Sequence, residues 1–289
     1  MSAPSAAEPR GLLRRRPGRG SPLSLAVGVG MCAVLVLLAL THRMLEPHDP
    51  GASELARRLL APGGDHLLGT DQLGRDVLSR VLAGTSWSLG IGMVATTLGA
   101  VTGTMIGVGA GWSHGWVRVV LTRAVDIGIS FPYLVTAITV IAVVGHGFWP
   151  LALTLGLVSW PTFARVVYAE TLGLAKREYV TAARLIGVGR LASVFSHVLP
   201  ALRPTLQVMA AFMFADMLIA ESSLSFLGLG APLGVPTWGN MLAESKSYLA
   251  TSPWLMLAPA AATVASVLAA NLLGDGLTAR DRLKNTRAG

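Results

Sequence analysis

The chain has 289 residues, 52% hydrophobic, 6% aromatic and 13% charged, with a formal charge of +8. Soluble domains carry about a quarter charged residues; half that fraction, with a mean hydropathy of +0.59, excludes disorder, a coiled coil and most soluble enzyme folds. A single cysteine, Cys32, excludes a disulfide framework and a cysteine-based metal cluster.

Residues 1–20 form a basic tail containing RGLLRRRPGRG, read as disordered. The first anchor occupies 21–41, where 21–40 carries no charge. A spanning helix needs roughly 20 apolar residues. A signal-peptide core has roughly 7–15, and no cleavage site follows here, so the segment reads as a retained anchor. Residues 42–84 form an extracytoplasmic segment. In it Leu73, Val77, Leu78, Val81 and Leu82 share a helical face while Arg75, Asp76 and Arg80 lie elsewhere, which predicts an amphipathic helix over 71–82. It would lie on the membrane or offer a platform to an external partner.

Five more apolar runs follow, at 87–111, 127–144, 148–167, 206–227 and 254–273. The expected fold is all-α and polytopic, with six transmembrane helices and both termini on one side. That topology puts 17 of the 23 Lys and Arg on the side of the termini and 6 on the other. The positive-inside rule then makes both termini cytoplasmic. The excess charge is a topology signal, and no nucleic-acid partner is needed to explain it. A five-helix core fills 85–275, with a cytoplasmic loop at 170–204 and a cytoplasmic tail at 276–289. Gly99, Gly103, Gly107 and Gly111 recur every fourth residue, a strip on which another helix can approach closely.

No phosphate-binding loop, H-E-x-x-H, paired cysteine or G-x-S-x-G occurs, so no catalytic residue and no cofactor site is expected in the chain. The histidines are scattered over loops on both sides, and no metal site is expected. Asp216 and Glu221 lie inside an apolar run. Intramembrane acids usually face a bundle interior or a water-filled cavity. Both are therefore candidates for a translocation path: Asp216 as a pore-facing, selecting acid, Glu221 more as a partner of helix ends. Asp126, at the end of the third run, lies near enough to the interface to be solvated.

The stretch KREYVTAARLIGVGRLASVFSHVLPALRP, 176–204, carries most information. Tyr179, Ala182, Ala183 and Ile186 fall at helical offsets 0, 3, 4 and 7, Gly187 and Gly189 interrupt, and a second short helix from Arg190 ends near Pro200. Such an element suits docking into a groove of a soluble partner or lying on the inner leaflet, basic face to lipid.

TAARLIGVGRLASVFSHVLP resembles the EAA loop of ABC-importer permeases: Thr181, Ala182 and Ala183 take the E-A-A positions, Gly187 the glycine, and Val198, Leu199 and Pro200 the aliphatic-X-L-P ending. Thr181 departs from the usual Glu, while Glu178 lies one turn earlier. HLLGTDQLGRDVLSRVLAGTSWSL (66–89) is similar to the H-x-L-G-T-D-x-x-G-R-D segment of the dipeptide, oligopeptide and nickel permeases, through Gly69, Thr70, Asp71, Gly74, Arg75 and Asp76. ESSLSFLGLGAPLGVPTWGNML (221–242) resembles their E-A-S-L-S-F-L-G-L-G…W-G-x-M block, through Trp238 and Gly239. NLLGDGLTARDRL (271–283) matches their tail at Gly274 and Asp275, with Thr278 and Ala279 replacing Arg-Asp.

The resemblance spans about 11–283. It implies a type I ABC-importer permease fold and a C-type subunit that moves di- or oligopeptides across the cytoplasmic membrane of a prokaryote; nickel or another small chelated solute is the alternative cargo. The implied partners are a second homologous permease, one or two cytoplasmic ATPases that bind ATP and Mg, an extracytoplasmic binding protein and membrane lipid. Coupling to the ATPases falls to Glu178, Tyr179, Thr181, Ala182, Ala183, Arg184, Gly187, Leu199 and Pro200. A membrane-embedded enzyme would need polar groups gathered at one depth. An ATP-independent secondary transporter or channel, the more remote alternative, would need no such loop.

Overall fold

The structure, a computed structural model, describes residues 22–232 and 234–287. The expected basic tail, 1–20, lies outside the described residues. The helices are α1 (Pro22–Leu45), α2 (Val77–Trp112), α3 (Trp116–Ser130), α4 (Tyr133–Val144), α5 (Phe148–Leu174), α6 (Glu178–Leu185), α7 (Arg190–Ser193), α8 (Leu199–Phe226), α9 (Trp238–Ser245) and α10 (Trp254–Arg287). Among the described residues, β pairing is confined to two isolated bridges, Gly63 with His66 and Thr70 with Asp76.

Five helical stretches are long and apolar enough to cross a membrane: most of α1, α2, α5, the run Arg190–Phe226, and α10 as far as Arg280. A sixth candidate is the pair α3 and α4, bent by 86°. The third expected run, 127–144, is therefore not one straight helix. Pro132 lacks an N–H and forces Phe131 into extended backbone (φ −97°, ψ 132°), which ends α3 before α4 begins.

The amphipathic helix expected over 71–82 does not form. Residues 71–76 are a turn, and Asp76 caps α2, its carboxylate accepting from the Ser79 backbone N–H at 2.8 Å. Arg75 and Arg80, expected on a polar face, are buried because acids described below neutralise them. The helix expected to end near Pro200 also runs on. A wider turn over Val194–Val198 absorbs the missing proline donor and leads straight into α8. The expected tail at 276–289 continues α10 as helix to Arg287.

The core lies where α2, α5 and α8 meet, around Ile91, Ala95, Leu155, Phe163, Met213 and Met217. Its closest seam is the expected glycine strip. A Cβ on Gly103 would stand 2.8 Å from that of Phe163, and one on Gly107 would stand 2.7 Å from the Ala164 carbonyl. Packing against α5 within this chain thus explains the strip. α1 rests on α10 at two matching gaps: a Cβ on Gly28 would meet Leu273 N at 2.6 Å, and one on Gly276 would meet Leu25 Cα at 2.5 Å. The rest of α1 exposes Val34, Val36, Leu37 and Leu40, as a lipid-facing helix does.

Candidate functional site

The 69–76 turn is a polar knot. Gly74 adopts φ +76°, and a Cβ there would sit 1.9 Å from the Glu54 carbonyl, so only glycine fits. Gly69, also at φ +76°, is closed in by the Leu60 carbonyl and Trp254. Thr70 accepts from the Leu60 N–H at 2.9 Å and donates to the Arg57 carbonyl. The Asp71 carboxylate accepts from the backbone N–H of Leu73 (2.8 Å) and of Arg75 (2.9 Å), from Arg75 Nε (2.6 Å) and from Arg80 Nη1. Glu244 of α9 closes the cluster, accepting from Arg75 at 3.0 Å and Arg80 at 2.9 Å. Burial works to raise the Asp71 pKa, but Arg80 and the charge and hydrogen bonds of Arg75 outweigh it and hold the carboxyl below its ordinary range. These motif residues build the joint between the turn, α2 and α9. Glu244 carried no sequence signal, since its partners lie more than 160 positions away.

Glu221 is a second joint. It is fully buried within this chain. Ser225 donates to it at 2.9 Å, and Ser88 and Thr237 also hydrogen-bond to it. Ser88 Oγ in turn accepts from the Trp238 N–H at 3.2 Å, and Thr237 Oγ1 from the Asn240 N–H at 3.1 Å. The carboxylate therefore orients the hydroxyls that cap α9. Trp238 donates from Nε1 to the Val81 carbonyl, and a Cβ on Gly239 would lie 2.5 Å from that of Ser225, so this block docks α9 on α2 and α8. Gly274 leaves room for the Phe212 ring, and Asp275 is exposed.

Asp216 behaves differently. It is exposed, and it lines a cavity of about 530 Å³ at the α3–α4 bend, with Tyr133, Ser159, Phe163, Met213 and Met217 among its neighbours. Among the described residues no Arg, Lys or His lines that cavity, so an acid there meets apolar and hydroxyl walls. Asp126 is not simply solvated: Arg165 donates to it at 2.5 Å.

In the 178–200 segment, α6 turns Val180 and Ala183 inward. Tyr179, Thr181, Ala182, Arg184 and Ile186 face out with Glu178, so the four residues expected on one face divide, with Ala183 inside. Gly187 takes φ +91°, and its N–H bonds the Arg184 carbonyl (3.2 Å) while that of Val188 bonds Ala183 (3.0 Å). This pair of bonds is a Schellman cap, which requires a left-handed residue. Leu185 and Ile186 before it (each 83% exposed), and Leu191 and Phe195 after it, are exposed apolar side chains. Leu199 and Pro200 are half-buried where α8 begins. Arg184 lies over the Trp112 ring at 5.6 Å, and Arg190 donates to the Trp112 carbonyl at 3.2 Å, tying the segment to the end of α2.

The family of binding-protein-dependent transport system inner membrane components matches residues 103–280. The chain belongs to this family. The permease is 37% identical, over 93% of its length and 88% of the relative's, to a protein of Brucella suis biovar 1 (strain 1330) that is named as a peptide transport system permease. It is 36% identical to the nickel transport system permease protein of Escherichia coli (strain K12), covering 90% of this chain and 93% of that one. It is 32% identical to the dipeptide transport system permease protein of Alkalihalophilus pseudofirmus, over 89% and 84%. The four blocks that resembled the peptide and nickel ABC permeases thus sit in a member of that class, a multi-pass protein of the cytoplasmic membrane. Its relatives are transport subunits.

Proposed function

We propose that this permease carries di- or oligopeptides inward as one half of a two-permease path, driven by partner ATPases that bind ATP and Mg. Its termini face the cytoplasm, so 178–200 meets the ATPases and the 46–76 segment faces an external binding protein. The exposed apolar pair Leu185 and Ile186, at the end of α6 and outside the candidate spans, supports the coupling role above all. Adjacent large apolar side chains left exposed there mark an interaction surface, and the Gly187 cap fixes their direction. Asp216 serves as the acid in the path, placed where α3, α4, α5 and α8 leave a cavity that the second permease would close. Nickel or another small chelated solute is a second reading, supported by the same acid and by the name of the Escherichia coli relative.

The test is purification of the chain from its native membrane in mild detergent, with mass spectrometry of what accompanies it. A second permease, one or two ATPases and a binding protein are expected; Ile186→Asp should lose the ATPases and keep the permease partner. A chain recovered alone and active would reverse the reading in favour of a secondary transporter or channel.

A further inference from the structure

The histidines read as scattered in sequence are not all scattered in space. His48 follows α1, His66 lies in the loop before α2, and both reach the Asp76 carboxylate at the head of α2. His66 Nδ1 is 2.9 Å from Asp76 Oδ1, and His48 Nδ1 is 3.9 Å from the same oxygen. The two rings lie 4.8 Å apart, tilted by 37°. One ligand atom from each of the three residues can be chosen so that all lie within 4.8 Å of one another.

We propose that His48, His66 and Asp76 form a site for a divalent transition-metal ion of the zinc class. Two imidazoles and one carboxylate are a borderline donor set, suited to zinc, nickel or copper and poor for magnesium or calcium. Bonds of about 2.0–2.1 Å at the tetrahedral angle put ligand atoms roughly 3.3 Å apart. The 2.9 and 3.9 Å separations from Asp76 bracket that value and no pair of ligand atoms is more than 4.8 Å apart, so a turn of the His48 ring toward His66 and Asp76 completes the set. His66 carries a second observation, independent of the clustering. Its side chain is nine-tenths buried, yet Nε2 has no hydrogen-bond partner among the described residues, so no bond at the far edge of the ring resists its adjustment.

The surroundings supply the rest of what a metal site requires. Asp76 Oδ2 is held by the Ser79 N–H and hydroxyl, both at 2.8 Å, which leaves Oδ1 to face the histidines. Ser79 Oγ also accepts from the His48 N–H at 3.1 Å, so one serine positions two of the three ligands. Asp76 is almost fully buried, while His48 is partly open to solvent and gives an ion its way in. Three protein ligands leave a fourth position for water. A bound ion would clip the segment after α1 to the loop before α2 and to the α2 cap.

The experiment uses the full chain in detergent without a polyhistidine tag, titrated with zinc chloride by calorimetry and followed by thermal melting, with magnesium chloride as control. One zinc per chain is expected, with a melting temperature that rises with zinc and does not respond to magnesium. His48→Ala, at a partly exposed position, should weaken zinc binding at least tenfold, the scale at which even outer-shell losses register. His146→Ala, in a distant loop, should leave binding unchanged. Absence of zinc binding to the unaltered chain, or equal binding by His48→Ala, overturns the site.

Discussion

Arg80 and Glu244 stand 164 positions apart in sequence and 2.9 Å apart in the fold. Arg80 is only 1% exposed, so its charge is stable there only because Asp71 and Glu244 both accept from it. Two of its nitrogens, Nε and Nη2, have no partner among the described residues, which leaves these bonds to carry the compensation there. Removing one partner of a buried ion pair costs about 3–5 kcal/mol. Asp71 remains after Glu244→Ala, so the lower end of that range, roughly 3 kcal/mol, is expected, read as a fall in melting temperature of the purified chain. Glu244→Gln keeps an acceptor for Arg80 and should lose less. Equal losses in both variants would show that the charge is immaterial.

The same cluster sets a pH dependence. Arg80 and Arg75 hold the Asp71 pKa below its unfolded value, so near its folded pKa the unfolded chain binds more protons than the folded one. The Asp71 contribution is therefore complete above the ordinary carboxylate range, about pH 4. It is lost as pH falls through the lower folded value. Melting temperature measured from neutral pH downward should stay flat in this respect and then fall in the acid range. Asp71→Asn should start lower and lose part of that acid slope. A variant with an unchanged slope would assign the acid transition to other carboxylates.

Legibility in the sequence followed the range of each interaction. The helices were readable because burying an apolar run is a local property, as at 22–45 and 254–273. The α2–α5 seam was readable too, since a four-residue glycine period means close approach whichever helix arrives. The α3–α4 bend was missed because 127–144 is apolar throughout, and Pro132 alone does not tell a kink from a break. The 71–82 segment was misread because helical spacing places Arg75 and Arg80 on a polar face. Asp71, folded back by the turn, and Glu244, far along the chain, together turn that face inward. Asp216 and Glu221 were told apart in the sequence only by the motif block to which Glu221 belongs. Ser88, Ser225 and Thr237 around one, and a cavity beside the other, separate them.

Gly187 can be tested without disturbing packing. Nothing lies within 4 Å of a Cβ built there, so a substitution acts through the backbone alone, at φ +91°. Alanine in such a conformation costs on the order of 1–3 kcal/mol, and proline cannot adopt it. Gly187→Pro should leave the spans folded and the complex assembled, with ATP hydrolysis continuing while uptake stops. Hydrolysis and uptake would be measured together in reconstituted vesicles. Normal uptake would remove the coupling role from this cap.

Asp216 offers the sharpest test of the path. It is the one carboxylate among the residues lining the 530 Å³ cavity, and no basic side chain of that lining neutralises it. A cationic group passing through, such as a peptide ammonium, would gain an ion pair there, whereas a solute without positive charge would gain nothing. An ion pair open to solvent is worth about 1 kcal/mol, several-fold in apparent affinity. Asp216→Asn preserves volume and hydrogen bonding while removing the charge. In vesicles holding the complete importer it should raise the KM for ammonium-bearing substrates several-fold, with little change for N-acetylated ones. Transport unchanged for every substrate would remove Asp216 from the path, and equal losses for both classes would make it a structural residue.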